Sequence, residues 1–157
     1  MSNSTDSQFN QRVLALLDRE EIRNLRQHYS QLLDSNNAGR MDEVFTEDAE
    51  VVVTVGSMKG LAAIKQSLAD AYQQFDTQQR AHFPFMHAVT NHNVTITGEN
   101  TAVGSCYLLD LVTDRQSTQH PFLLLGRYED EYVRVNGEWR IAKTALDVVW
   151  PHADSDK

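Results

Sequence analysis

One cysteine, three prolines and seven glycines are spread over 157 residues. The lone Cys106 excludes an internal disulfide framework and any multi-cysteine zinc or iron–sulfur centre, and it is neutral about a reducing cytoplasm. Basic charge is scarce as well. Fourteen Lys and Arg face 22 Asp and Glu, for a formal net charge of -8. A phosphate-backbone binder or a polybasic membrane-surface protein needs the opposite balance, because its cations must displace counterions or meet anionic lipid. Neither nucleic acid nor membrane is therefore expected as a partner. No run reaches the ~18 to 20 apolar residues of a membrane helix. The opening Met1-Ser2-Asn3-Ser4-Thr5-Asp6-Ser7 carries neither a basic nor an apolar stretch, so no signal peptide is read there and a cytoplasmic location is expected. Gly56, Gly60, Gly98 and Gly104 form no phosphate-cradling loop, so nucleotide binding has no support. What the chain does have is 41% hydrophobic residues, enough for one core at this length.

Residues 1–10 are rich in Ser, Asn, Asp and Gln and are expected to be loose. From Val13 the pattern changes. Leu14, Leu17, Ile22, Leu25, Tyr29, Leu32 and Leu33 recur at steps near three and four and mark the apolar face of a long helix. Asp18, Arg19, Glu20, Glu21, Arg23 and Arg26 are read as its polar side, with at most a break near Asp18 to Glu21. Ser35-Asn36-Asn37-Ala38-Gly39 stops it. A short helical turn follows at Arg40 to Phe45, then a β-branched strand from Glu50 to Val55, closed by Gly56-Ser57. Gly60 opens a second helix with Leu61, Ile64, Leu68, Ala71, Tyr72 and Phe75 inward. The rest reads as four strands: His82 to Ile96, Thr101 to Val112, Phe122 to Val135 and Trp139 to Trp150. Asn136-Gly137 is a hairpin signal. From Pro151 on, residues 151–157 read as a polar tail. The order implies an α+β fold, with helices layered on an antiparallel sheet, in a single domain at residues 11–150.

Four residues are candidates for chemistry. His87 lies in the apolar run Phe83 to Val89. An imidazole suits general-base work near neutrality, and equally well a core position satisfied by a carbonyl. Asp34 ends the first helix, where the dipole disfavours a carboxylate and calls for a cation or for solvent. Tyr29 lies on the apolar face, and its hydroxyl needs a partner if buried. Asp110 shares a strand face with Leu108 and Val112. It must be paired, protonated or at a cavity mouth, unless that strand is an edge open to solvent. His82, His87 and His92 look like a metal set, but five-residue steps along a strand alternate faces and turn His87 from the other two. No metal site is expected. Cys106 reads as a small buried hydrophobe. Arg127 and Tyr128 either line a cavity or pair across the sheet. Phe83, Phe85, Met86, Tyr107, Phe122 and Trp150 could be lining, core or interface.

These pieces line up with a family. The chain resembles the SnoaL-like branch of the nuclear-transport-factor-2-like (NTF2-like) superfamily. The resemblance rests on Ile22-Arg23-Asn24-Leu25, Tyr29 to Asp34, Phe45-Thr46-Glu47-Asp48-Ala49, His87-Ala88-Val89-Thr90-Asn91, Gly126 to Tyr132 and Gly137-Glu138-Trp139-Arg140-Ile141. It implies a cone-shaped barrel, a curved mixed sheet wrapped around a long helix with a pocket at the wide end. It also implies a homodimer or homotrimer through the outer sheet face. Within the superfamily the chain is most similar to lyases of the bile-acid 7α-dehydratase, scytalone dehydratase and hexachlorocyclohexane dehydrochlorinase type, which use no metal or organic cofactor. Their His–Asp pair falls on His87 and Asp34, a tyrosine on Tyr29 and a second aspartate on Asp110. A tyrosine of the bile-acid enzyme is replaced around Val53-Thr54, and an arginine of the last strand around Asp147-Val148. The expectation is a dehydratase or related isomerase acting on a small, largely apolar ring substrate. The alternative is a small-molecule-binding member without turnover.

Overall fold

The computed structural model describes residues 2–53, 56–81 and 83–151. Helix α1 runs unbroken over Ser2–Asp34. No Gly or Pro occurs before Gly39. Once the second half is anchored by packing, each further residue extends the helix at little cost. Residues 2–10, read above as loose, are therefore helical, and no break falls near Asp18 to Glu21. The early turns are not covered. Leu14 and Leu17, assigned above to the buried face, are exposed along with Phe9 and Leu16. Burial begins at Ile22 and continues through Leu25, Tyr29, Leu32 and Leu33. Past Asp34 the helix is closed by Asn36, whose φ of 61° lets the Asn37 N–H return to the Leu32 carbonyl at 2.8 Å.

A 3-10 turn at Ala38–Glu43 buries Met41. Strand β1 covers Phe45–Val53, and β2, Gly56–Lys59, pairs antiparallel with it. Gly56-Ser57 thus opens a short strand instead of closing one. Thr54 and Val55 lie outside the described residues. Helix α2, Leu61–Phe75, buries Leu61, Ile64, Leu68 and Tyr72. Then come β3 (Phe85–Gly98), β4 (Thr101–Val112), β5 (Phe122–Val135) and β6 (Glu138–Trp150). The expected hairpin joins β5 to β6, with Asn136 at φ 52° and Gly137 at φ 85°, the left-handed pair that a tight turn requires. His82, the expected start of the third long strand, and residues 152–157 of the expected tail lie outside the described residues.

The six strands form one sheet in the order β2-β1-β6-β5-β4-β3. β3 to β6 are antiparallel neighbours as expected, while β1 runs parallel to β6. The fold is α+β, with a curved mixed sheet and the long helix across its inner face. On β4 the inner positions are Ala102, Cys106, Leu108, Asp110 and Val112, and on β5 they are Tyr128, Asp130 and Tyr132, all buried.

Strict alternation fails on β3. The register with β4 shifts between Thr90 and Asn93, and Asn91 adopts φ 54°. This bulge reverses the parity of the residues beyond it. His92 therefore turns inward, on the same face as His87, and its Nε2 meets the Tyr132 hydroxyl at 3.1 Å. One left-handed asparagine thus undoes the alternation that was expected to set His87 apart from His92.

Candidate active site

Asp34 and His87 come together first. Asp34 is the last residue of α1, and β3 is the edge strand of the sheet. An edge strand has unpaired backbone groups. Asp34 takes one of them: the His87 N–H donates to Asp34 Oδ2 at 2.9 Å. The other oxygen, Oδ1, lies 2.6 Å from His87 Nδ1. One carboxylate thus holds both the backbone and the ring of the same residue. The bond to Nδ1 keeps a proton there and leaves Nε2 as the basic nitrogen. It also gives Asp34 the cationic or donor partner that a helix C-terminus demands.

Nε2 faces Asp110. The two residues are direct partners across β3 and β4, and Nε2 stands 3.8 Å from Asp110 Oδ2. Asp110 is buried, and its Oδ1 has no hydrogen-bond partner among the described residues. Burial pushes its carboxyl above the ordinary range and Asp34 adds to that, while His87 works against both. The ring edge of Phe85 meets the imidazole at 5.1 Å between centroids. Tyr29 lies beneath, buried, with its phenol pushed up by desolvation.

A cavity of about 130 Å³ joins these groups, walled by α1, α2 and the inner sheet face. His87, Asp110, Tyr29 and Tyr128 line it with Leu33, Phe75 and Phe85. Asp34 sits behind the imidazole. The four residues singled out in the sequence are therefore gathered at one hollow. Of the aromatic and apolar candidates for its wall, Phe85 is there. Phe83, Met86, Tyr107 and Trp150 are instead exposed. Arg127 pairs with Glu129 at 2.9 Å on the surface.

A second polar cluster escaped the sequence reading. Arg26, read as solvent-facing, is completely buried. It stands four residues after Ile22 and three before Tyr29, in the middle of the apolar stripe, so the spacing was informative and the residue type misled. Its guanidinium lies 3.5 Å from the Tyr128 ring centroid and 4.7 Å from that of Tyr29. A desolvated stacking of this kind is worth about 2 kcal/mol. Asp130 approaches Arg26 Nε at 3.6 Å, an ion pair beyond hydrogen-bond reach. The Asp130 oxygens are taken by Tyr132, which donates at 2.7 Å, and by the Thr144 hydroxyl. Asp130 was as legible as Asp110, since it interrupts Tyr128 and Tyr132 on one strand face.

Among the described residues no group of three His, Cys, Asp or Glu could hold a metal ion. No described helix is long and apolar enough to cross a membrane.

An edge-strand histidine clamped by a helix-terminal aspartate, over a cavity between a curved sheet and a long helix, defines a class of α+β pocket proteins. The SnoaL-like domain model matches residues 14–145, and the chain belongs to that family. No curated protein matches the chain. Among solved structures it is similar to an NTF2-like protein with a cystatin-like fold from Novosphingobium aromaticivorans, at 24% identity and TM-score 0.79 over 94% of this chain and 92% of that one. A protein provisionally named a scytalone dehydratase, from the same organism, matches at 25% identity and TM-score 0.70 over 85% of each chain. LinA matches at 21% identity and TM-score 0.73 over 89% of this chain and 92% of its own.

Proposed function

We propose that this SnoaL-like protein is a lyase that eliminates a small group, water or halide, from a largely apolar ring substrate. The observation that carries the reading is the Asp34–His87–Asp110 line, with its imidazole Nε2 turned to the cavity. Side chains of the protein carry each proton. His87 Nε2 takes a proton from the carbon next to an activating carbonyl. The electron pair of that C–H bond forms the new double bond, and the leaving hydroxyl departs as water with the proton of Asp110. The proton on Nε2 then returns to Asp110 across the 3.8 Å gap. Asp34 holds the tautomer and stabilises the imidazolium, the role of the aspartate in a hydrolase triad. Tyr29 donates to the oxygen that gains charge. Asp110 is suited to be the acid because burial favours its neutral form. The similarity to a provisionally named scytalone dehydratase supports this class.

A ring-sized panel of 3-hydroxy ketones and halogenated cyclohexanes, assayed by mass, tests the reading. Loss of water or halide by the wild type, abolished in His87→Ala, is the expected result. A product of unchanged mass would make the protein an isomerase with the same base. Tight ligand binding with no turnover across the panel would make it a binding protein instead. The exposed Met86, Val103, Tyr107 and Val149 further support self-association through the sheet's outer surface. Sedimentation should show a dimer or trimer that Tyr107→Lys dissociates.

A further inference from the structure

Arg26 has no role in the reaction above, yet among the described residues it heads the large side chains that are fully buried. Among the described residues none of its three nitrogens has a hydrogen-bond acceptor. Its one close counter-charge, Asp130, already receives Tyr132 and Thr144, so the ion pair is loose. A cation with five N–H donors and no acceptor is an expensive thing to seal into a core. What it does have is two phenol rings between itself and the cavity. Tyr128 lies face-on at 3.5 Å and Tyr29 at 4.7 Å, and the two rings meet edge to face at 6.4 Å. Both tyrosines line the hollow, while Arg26 does not.

We propose that Tyr29 and Tyr128 form a two-hydroxyl oxyanion site, with the Arg26 cation stacked behind them, and that the cavity takes single-ring ligands in their phenolate or enolate form. The field of Arg26 favours negative charge on the oxygens in front of it, in a medium of low dielectric where such a field is poorly screened. Size points to one ring. An apolar cavity of about 150 Å³ accommodates benzene, and this one measures about 130 Å³.

The charges that bear on this site come from every wall. Around Arg26 these are Tyr29 on its own helix, His92 on β3, Cys106 on β4, and Tyr128, Asp130 and Tyr132 on β5. The cavity adds Asp34 on α1, His87 on β3 and Asp110 on β4. Asp110 opposes a second anion only when ionised, and its burial favours the neutral acid. The proposal extends the lyase reading, because an enolate is the intermediate that such a base creates. Its test needs no turnover.

The probe is para-nitrophenol, whose neutral and ionised forms differ in colour. Titrating it with wild-type protein should show the bound probe ionising at lower pH than the free one. Tyr128→Phe and Tyr29→Phe should each weaken the preference for the ionised form by about tenfold, the size of one hydrogen bond to a charged group. Arg26→Met should do the same although it leaves both hydroxyls in place, and Arg26→Lys should recover part of the loss. If Arg26→Met does not fold, the Tyr128→Phe and Arg26→Lys titrations decide. Equal affinity for both forms of the probe, no binding at all, or indifference to Tyr128→Phe would each overturn the oxyanion site. None of these results touches the His87 base, which stands or falls on turnover.

Discussion

Two buried polar clusters share the inner face of one sheet, and they differ in what they leave open. The Asp34–His87–Asp110 line ends on a cavity, and its last carboxylate oxygen has no partner. In the Arg26–Asp130–Tyr132–Thr144 cluster the acid is saturated with donors, and all four side chains are sealed in the core. Both contain a carboxylate interrupting a hydrophobic strand face. On the reading proposed above, the saturated acid holds the architecture and the unsaturated one does chemistry, and satisfaction of hydrogen bonds tells the two apart where burial does not.

The largest effects should separate the two clusters by readout. His87→Ala removes the proposed base and should lower turnover by ~10²–10⁴-fold, with the melting temperature little changed. Asp34→Asn should cost at least ~10²-fold, because an amide no longer fixes the proton on Nδ1. Rates on an active substrate, beside thermal melts of the same samples, check both. A His87→Ala protein that keeps its rate would end the distinction between clusters.

The sealed cluster should respond in the opposite sense. Asp130→Asn strips Arg26 of its counter-charge and leaves a bare buried cation, at a cost of about 3–5 kcal/mol in chemical denaturation. Replacing both partners, Arg26→Met with Asp130→Asn, should return most of that loss, since a buried ion pair is rarely better than an apolar one. If the single and double variants are equally unstable, the pair is not coupled and the two clusters need another account.

The same contrast explains what the sequence could and could not reveal. β4 and β5 match the strands read from alternation and turns, because both signals are local. β2 is four residues long, too short for any period. The parallel pairing of β1 with β6 joins Val51 to Thr144, and no local pattern carries a partner so distant. Asp34, His87, Asp110 and Tyr29 were legible as anomalies or through family resemblance. Their convergence on one pocket follows from the family resemblance alone, because no local pattern says where a helix end meets a sheet edge. Arg26 combines the helical spacing of a core residue with the charge of a surface one, and the spacing is the signal that matches its burial. His92 was misplaced because a bulge cannot be read from alternation that it breaks, although Asn91, a residue tolerant of the left-handed region, marks the spot.

A smaller effect comes from Asp110. Its folded carboxyl titrates above the ordinary value of 3.8, so the folded protein binds more protons there than the unfolded chain. Stability must then fall as pH rises from that value through the folded one. Asp110→Asn removes the titration. It should raise stability at neutral pH by roughly 1 kcal/mol and flatten this slope, with activity lost, as befits a site where function strains the fold. Melting curves across the acid range check it. A destabilised Asp110→Asn would mean that the carboxylate is structural after all, like Asp130.

His92 supplies the smallest effect and the opposite sign. Burial lowers its titration below 6.5, the Arg26 and Arg23 cations add to that, and Asp130 opposes them. The folded ring stays neutral where the unfolded one begins to charge. Its contribution is complete above 6.5 and is lost as pH falls through the folded value. His92→Gln should keep a donor for Tyr132, cost less than about 1 kcal/mol at neutral pH, and remove the acid-side loss. Asp110 and His92 lie on neighbouring strands of one sheet, yet one punishes rising pH and the other falling pH. Denaturation of the two single variants and the double variant at several pH values separates these slopes, which should add because the residues share no partner. Non-additive slopes would show that the open and sealed clusters exchange charge through Tyr128, the ring that stands between them.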